Sequence, residues 1–337
     1  MSIRKVSIIA AVAVALIGVG YVTPAHAEPT MSARVDLVGR ISGSDRYGTS
    51  VAVAQAAFPT TAPVVYIASG AAFPDALAAG PAAVHQGGPL LLTAPNTLPS
   101  DVATEITSLA PSRIVIVGGT GAVSTGVETA LKALAPTVTR VAGDNRYQTS
   151  LAVAEYAFTD PVSTVYMATG RTFPDALAAG AAAAKAGGPL LLVNGNAKTL
   201  DALTRTVIST TLTPKTIVVV GGPSVMSAGV LAAAKGLATT TTRVSGGNRY
   251  TTAAAIGTYA WPSATHAYMA TGLNFPDGLV ATIIAGVKGD PLFLTTLQCQ
   301  DYPAYVGEFR LGVRQATLIG GPATVEDSAV GPDCPIA

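Results

Sequence analysis

Apolar residues fall into two alternating kinds of segment along the chain. Short continuous apolar runs, rich in Leu, Val and Ile, are typical of strands buried on both faces of a sheet. Longer stretches between them carry apolar residues at helical spacing, several of them after a polar residue suited to cap a helix. In the middle of the chain the strands are predicted over 165–168, 190–193 and 216–220, and the helices over 145–158, 174–186 and 200–211.

The motif Arg-x-x-Gly-x-x-Arg-Tyr occurs three times. It begins at Arg40, Arg140 and Arg243, so successive copies lie 100 and 103 residues apart. The same further landmarks follow each copy in the same order: Phe-Pro-Asp at Phe73, Phe173 and Phe275, a Pro-Leu-Leu/Phe-Leu run at Pro89, Pro189 and Pro291, and a Gly-Gly pair after Val117, Val220 and Ile319. A period near 100 residues is long enough for each copy to be a small domain with its own core.

Strands that alternate with helices predict an α/β fold with parallel sheets covered on both faces, three times over. The predicted repeats span 34–136, 137–239 and 240–337, and the third is shortened after Gly321. Together they occupy the chain after its leader, so no separate catalytic domain is expected. Cys299 and Cys334 lie near the C-terminus of an exported chain, which predicts a disulfide that pins the shortened repeat.

Residues 1–27 are typical of a secretory signal peptide. Arg4 and Lys5 precede an apolar run over 6–22, and Ala25-His26-Ala27 supplies a small-x-small cleavage site. The apolar run is near the lower length limit for a membrane span, so an uncleaved anchor is the alternative. The later apolar runs are short and interrupted, and no membrane span is expected after cleavage.

The charge balance argues against nucleic acid as a partner. The sequence has 20 basic and 19 acidic residues, and only 12% of its residues are charged. Such a chain has no broad basic field to hold a polyanion, and export makes an intracellular polyanion a still poorer partner.

Catalytic motifs are missing from the sequence. The Gly-Gly turns lack the third glycine of a dinucleotide fingerprint and the Gly-Lys-Ser/Thr of a P-loop, although a backbone-amide site for a sugar hydroxyl or phosphate stays open. His85 and His266 occupy unrelated positions in different copies, and no zinc-ligand pattern is present. We therefore expect a non-enzymatic protein without a metal or cofactor, although a carboxylate pair stays open, because Asp75 and its equivalents follow strand ends, where open α/β sheets place their ligands.

The repeated polar residues each have a structural and a binding interpretation. Asp45, Asn145 and Asn248 are suited to cap helices. The tyrosines could pack in the core or form a platform for a sugar ring, the aspartates could serve a helix dipole or a ligand, and the arginines could pair with carboxylates or contact an anion. The predicted polymer-binding set is Arg46, Arg146, Arg249, Tyr47, Tyr147, Tyr250, Asp75, Asp175 and Asp277.

These ordered landmarks resemble the cell wall binding repeat 2 family, which occurs as three tandem copies in exported proteins of Gram-positive bacteria. The resemblance implies Rossmann-like repeats around a pseudo-threefold axis and non-covalent attachment to the wall through an anionic secondary polymer such as teichoic acid. The family's Ile-Leu-Leu anchoring motif resembles the runs that begin at Leu90, Leu190 and Leu292, which the apolar pattern alone marks as buried strands.

The predicted function is binding to the bacterial cell wall, with an anionic glycopolymer or peptidoglycan as the partner and the cell surface as the location. Two alternatives stay open: a modifier of a cell-wall hydrolase such as an amidase, and a self-associating surface-layer protein. If the protein binds a wall polymer, three moderate contacts to one polymer add by avidity, which is a physical reason for three copies.

Overall fold

The computed structural model describes residues 34–332. The predicted signal peptide and Cys334 lie outside the described residues, so the cleavage site and the pairing of Cys334 with Cys299 stay predictions. The twelve strands of the described part are β1 Asp36–Ile41, β2 Val64–Ser69, β3 Leu90–Thr93, β4 Arg113–Val117, β5 Thr137–Val141, β6 Thr164–Thr169, β7 Leu190–Val193, β8 Thr216–Val220, β9 Thr240–Val244, β10 His266–Thr271, β11 Leu292–Thr295 and β12 Gln315–Ile319.

The helices pack between and over these strands. They are α1 Arg46–Ala57, α2 Pro74–Leu77, α3 Ala79–His85, α4 Ser100–Leu109, α5 Thr125–Lys132, α6 Arg146–Ala157, α7 Pro174–Lys185, α8 Ala202–Thr206, α9 Ala228–Lys235, α10 Arg249–Ala260, α11 Pro276–Lys288 and α12 Tyr302–Leu311, with a π-helix at Val207–Leu212 and a 3₁₀ helix at Asp327–Val330.

The strands form three four-stranded sheets, and every pairing within them is parallel. The strand orders are β3-β2-β4-β5, β7-β6-β8-β9 and β11-β10-β12-β1. This confirms the predicted fold class of three parallel-sheet α/β repeats, including the predicted strands β7 and β8.

Each sheet borrows its last strand from the neighbouring sequence repeat. Strand β5, which carries Arg140, completes the sheet of the first repeat, and β9 does the same for the second. The first strand of the described chain, β1, pairs with β12 and so completes the third sheet. The three repeats are therefore joined into a closed ring.

Burial explains why the strands read as continuous apolar runs. Ile114, Val115, Ile116 and Val117 of β4 are all fully buried, because helices cover both faces of the sheet. The three leucine-rich strands β3, β7 and β11 are buried along their whole length. Removing these side chains would therefore disrupt folding, whatever else it did.

Phe293 is accommodated by a compensating loss of bulk. It replaces the leucine found at the same position of β3 and β7, and a Cβ placed on Gly257 of α10 would lie 2.5 Å from its ring. The corresponding helix positions in the other repeats are Ala54 and Ala154. The third repeat thus has a glycine in place of the alanine, and this smaller residue leaves room for the phenylalanine that replaces the leucine.

The alanine-rich helices α3, α7 and α11 contact one another at the centre of the ring. Small residues permit the close approach: a Cβ on Gly80 would lie 2.8 Å from Thr282, and one on Gly180 would lie 3.1 Å from it. In the first repeat Pro81 cannot donate a hydrogen bond to Leu77, and α2 ends there.

The predicted helix caps are present. Asp45, Asn145 and Asn248 each accept hydrogen bonds from the backbone amides two and three residues ahead, at the starts of α1, α6 and α10. At the other end of the chain, the 3₁₀ helix Asp327–Val330 takes the place of the longer α5 and α9, as the shortened third repeat predicts.

Candidate binding crevices between the repeats

Each sheet has a topological switch point where the chain changes direction. In the first sheet the chain runs from β2 to the edge strand β3 and then crosses to β4, which lies on the other side of β2. The carboxyl ends of β2 and β4 therefore flank a crevice, which is the usual ligand position in an open α/β sheet. The Phe-Pro-Asp motifs follow β2, β6 and β10 directly and so place their aspartates at this crevice.

The geometry at Gly118 shows how close the aspartate comes. Gly118 follows β4 with a φ of 106°, which favours glycine, and a Cβ there would lie 2.7 Å from the Asp75 Oδ2. Gly221 and Gly320 have the same conformation, with Asp175 and Asp277 as their neighbours. The glycine of each Gly-Gly turn thus leaves room for the carboxylate.

An arginine from the next repeat of the ring faces each of these aspartates. Asp75 interacts electrostatically with Arg146, and Asp175 interacts in the same way with Arg249. The pairing closes on itself, because Asp277 of the third repeat lies in the field of Arg46 of the first. Each crevice is therefore built by two repeats.

The crevices of Asp175 and Asp277 are similar in size. The crevice of Asp175 and Arg249 encloses about 240 Å³, and that of Asp277 and Arg46 about 180 Å³. Their walls combine the Gly-Gly turn, the first turn of the next helix and hydroxyl side chains, including Thr172, Ser224 and Thr252 in the first crevice and Thr49 and Thr324 in the second.

Burial disfavours the charged form of all three aspartates. It raises the pKa of Asp175 to about 6, against the opposing effect of the Arg249 guanidinium. Burial also raises the pKa of Asp75 and Asp277, and here a hydroxyl group, from Thr149 or Thr324, and the facing arginine partly offset it. The Thr324 hydroxyl donates to the Asp277 Oδ2 at 2.9 Å. Perturbed carboxyl groups in a crevice mark a candidate functional site.

The facing arginines are fixed at one end of their guanidinium groups. The Nη1 groups of Arg46, Arg146 and Arg249 donate to the carbonyls that follow β2, β6 and β10, at 2.6, 2.7 and 2.5 Å. The hydrogen bonds within the described part of the chain thus use one of the five N–H donors of each guanidinium. The donors that remain can bind an anion in the crevice.

An aromatic cluster joins the three crevices. The rings of Phe73, Phe173 and Phe275 form a triangle with centroid separations of 5.6, 5.8 and 6.1 Å. The Arg46 guanidinium lies 5.9 Å from the Phe275 centroid, and that of Arg146 lies 5.9 Å from the Phe73 centroid. Sequence reasoning assigned these phenylalanines no role, although the same aromatic residue before Pro-Asp in all three copies was a usable signal.

The three candidate tyrosines are half-buried against the core. A Cβ on Gly70, Gly170 or Gly272 would lie 2.7, 2.7 or 2.8 Å from the ring of Tyr47, Tyr147 or Tyr250. Each ring therefore packs on the backbone at the end of a strand, which explains the glycine there. Burial raises the pKa of the Tyr250 hydroxyl.

The first arginine of each motif makes a different set of contacts. Arg40, Arg140 and Arg243 donate from Nη1 to Gly320, Gly118 and Gly221, the first glycine of each Gly-Gly turn. Arg40 also pairs with Asp327 at 2.6 Å, and Arg140 pairs with Glu128 at 2.7 Å. These arginines fix the turn behind the crevice.

A family model described as cell wall binding domain 2 matches residues 40–128, 140–231 and 243–330. The chain belongs to this family. The three matches begin at the first arginine of the three motif copies and together cover most of the chain, in agreement with the resemblance seen in the sequence.

Curated relatives and solved structures agree with this assignment. The chain is 32% identical over 258 residues to N-acetylmuramoyl-L-alanine amidase LytC of Bacillus subtilis (strain 168), covering 77% of this chain and 50% of the relative. It is 28% identical over 258 residues to the Amidase enhancer of the same organism, covering 77% and 34%. The chain thus spans half the length, or less, of the curated relatives it matches.

Two solved structures from Clostridium difficile share the fold. Cwp6 superposes with a TM-score of 0.80 at 23% identity, covering 88% of this chain and 47% of that one. Cwp8 superposes with a TM-score of 0.78 at 26% identity, covering 86% and 50%. Between residues 34 and 332, no group of three or more metal-ligating side chains comes together, and no helix is long and apolar enough to cross a membrane.

Proposed function

We propose that this protein binds the bacterial cell wall by gripping an anionic glycopolymer in its three crevices. The observation that carries the proposal is the recurrence of one arrangement at three switch points: an arginine with unused donors from one repeat faces a partly or fully buried aspartate of the preceding one. Family membership supports the wall as the target.

The crevices suit a polymer in which anionic groups alternate with hydroxyl groups. A guanidinium presents several N–H donors in one plane and recognises phosphate or carboxylate oxygens. The aspartate and the threonine hydroxyls beside it can bind polymer hydroxyl groups. Because the three crevices surround one aromatic cluster, a single flexible chain can occupy more than one of them, and the contacts add by avidity.

The proposed location is the cell wall or cell surface. The leader over residues 1–27 supports export, and the family and the two Bacillus relatives support a destination in the wall. The proposed polymer-binding surface includes the predicted tyrosines, because each directly follows a crevice arginine on the same helix: Tyr47, Tyr147 and Tyr250.

Co-sedimentation with purified cell walls tests the proposal. Walls are used before and after mild acid extraction of their anionic polymers. We expect the protein to sediment with intact walls and to stay in solution with extracted walls. Sedimentation that persists after extraction would assign the binding to peptidoglycan instead, and a protein that sediments with neither would contradict wall binding altogether.

A second candidate function is the modification of a cell-wall hydrolase. It is favoured by the two curated relatives, one named as an amidase and the other as an amidase enhancer. The measurement is the loss of turbidity of a wall suspension. A modifier accelerates the loss only when an amidase is present, whereas loss caused by this protein alone would contradict the prediction that it is not an enzyme.

A further inference from the structure

The second repeat differs from the other two in the segment that follows its leucine-rich strand. Between the end of β7 and the start of β8 lie 22 residues, whereas the corresponding segments of the first and third repeats have 19. The second repeat therefore carries three additional residues at this place.

One additional residue lies in the helix. From the N-cap to the left-handed C-cap, the first and third repeats run from Pro99 to Ala110 and from Asp301 to Gly312, while the second runs from Asp201 to Thr213 and is one residue longer. The π-helix Val207–Leu212 accommodates it. The other two additional residues lengthen the loop before the helix, residues 194–200.

This longer loop borders a pocket of about 360 Å³ against the first turn of α6. The volume lies in the range of about 300–1,000 Å³ that is usual for small-molecule sites. The pocket is lined by Asn145, Tyr147, Gln148, Leu151, Val193, Asn194, Ala197, Thr199, Leu200 and Asp201.

In the third repeat the corresponding residues are joined directly. There the Asn248 Nδ2 donates to the Asp301 Oδ2 at 2.9 Å, and this bond ties the cap of α10 to the cap of α12. The equivalent residues of the second repeat, Asn145 and Asp201, both line the pocket, and the Asp201 oxygens accept from the backbone and hydroxyl of Thr204. In the first repeat Pro99 stands where these aspartates stand, so it cannot make such a bond.

The pocket lining combines apolar side chains with amide and hydroxyl groups and one carboxyl group, that of Asp201. Leu151, Val193 and Leu200 form a buried apolar floor beside the half-buried ring of Tyr147. The exposed amide of Asn194 makes no hydrogen bond to the described residues and can pair with a ligand. None of the residues that line the pocket is a lysine or an arginine. A ligand with an apolar ring face and hydroxyl or amide groups fits this lining, whereas a phosphate finds no cation in it.

We propose that this pocket binds a neutral hexose or N-acetylhexosamine unit. The inference rests on the proposed wall binding, to which it adds a subsite bordered by the longer loop of the second repeat, next to the three proposed anion-binding crevices. Tyr147 supplies the stacking face, and Asn194 with Thr199 supplies polar contacts. The wall polymer is then held by its charges in the crevices and by one sugar ring in this pocket.

Saturation-transfer NMR on the purified protein tests the pocket with glucose, N-acetylglucosamine and, as the charged comparison, glycerol phosphate. We expect saturation transfer to at least one of the sugars. Asn194→Ala, which installs the residue that the first repeat has at Ala94, should weaken binding about fivefold through the loss of one hydrogen bond. Ala197→Trp should fill the pocket and abolish binding. The matched control Asn96→Ala, in the shorter loop of the first repeat, should leave it unchanged.

Absence of transfer to both sugars would overturn the inference, and so would sugar binding that both pocket variants leave unaltered. Transfer from the protein to glycerol phosphate that Ala197→Trp abolishes would also overturn it, because the pocket would then bind an anion. Co-sedimentation with intact walls separates this inference from the wall-binding proposal. If the unaltered protein sediments but binds no sugar, only the pocket inference fails; if it does not sediment, the wall-binding proposal fails.

Discussion

Two series of arginines recur three times in this protein, and their surroundings differ. Arg40, Arg140 and Arg243 donate to the Gly-Gly turns, and two of them also pair with a carboxylate. Arg46, Arg146 and Arg249 each make one backbone hydrogen bond and face a partly or fully buried aspartate across a crevice. In sequence both series look alike. Repetition therefore marks residues that the repeat needs, and only their contacts separate those that hold the fold from those that can hold a ligand.

The largest expected effect comes from removing the crevice arginines together. Arg46→Gln, Arg146→Gln and Arg249→Gln combined should weaken wall binding about 1,000-fold, because each site contributes about tenfold and the contacts of one polymer add. Quantitative co-sedimentation over a range of wall concentrations measures the loss. The unfolding midpoint should show that the triple variant is folded, and a folded triple variant with unaltered affinity would contradict the assignment of these residues.

A smaller effect, on stability and not on wall affinity, is expected from the arginines that donate to the Gly-Gly turns. Arg140→Gln removes the contacts with Glu128 and with the Gly118 carbonyl, so the free energy of unfolding should fall by about 1–2 kcal/mol. Wall affinity at a temperature where the variant is folded should stay within about twofold, since Arg140 lies behind the crevice. Urea denaturation measures the free energy of unfolding, and co-sedimentation measures the wall affinity. An affinity loss as large as that of a crevice arginine would erase the distinction between the two series.

An effect of about the same size, visible only as a change with pH, is expected from Asp175. Its pKa is raised to about 6 in the folded protein and is lower in the unfolded chain. The neutral form is thus favoured by folding, and the stability that this group contributes is fully present at low pH and is lost as the pH rises through 6. The unaltered protein should gain about 1–2 kcal/mol relative to Asp175→Asn between pH 7 and pH 4.

Urea denaturation of both proteins across this pH range measures the difference, and other titrating groups cancel in it. The matched control is Asp160→Asn, which removes an exposed carboxyl of the same repeat. A difference between the unaltered protein and Asp175→Asn that is constant from pH 4 to pH 7 would show that Asp175 is not held in a burying crevice.

Local structure was predictable from the sequence because it depends on nearby residues. The apolar run at Leu190–Val193 is a strand with the predicted bounds, and Asn145 caps the predicted helix. The proline of Phe-Pro-Asp stands at the first turn of a helix in all three repeats. Residue type and spacing were sufficient for each of these features.

The crevices were not predictable, because they depend on which repeats become neighbours. Comparing Arg46, Arg146 and Arg249 with one another shows that they are equivalent but not that each faces the aspartate of another repeat. The pairing of Arg46 with Asp277 requires β1 to join the third sheet, a contact between the two ends of the described chain. The π-helix and the longer loop of the second repeat were together detectable only as a three-residue difference in spacing.

The most direct test of the crevice account is an NMR titration of the arginine side chains. Protein labelled with ¹⁵N-arginine is titrated with the anionic polymer extracted from the wall, and the Nε–H signals are assigned from single substitutions. The account predicts saturable shifts for Arg46, Arg146 and Arg249, while Arg40, Arg140 and Arg243 keep their positions. Polymer binding that shifts the second series, or that leaves the first unshifted, would contradict it.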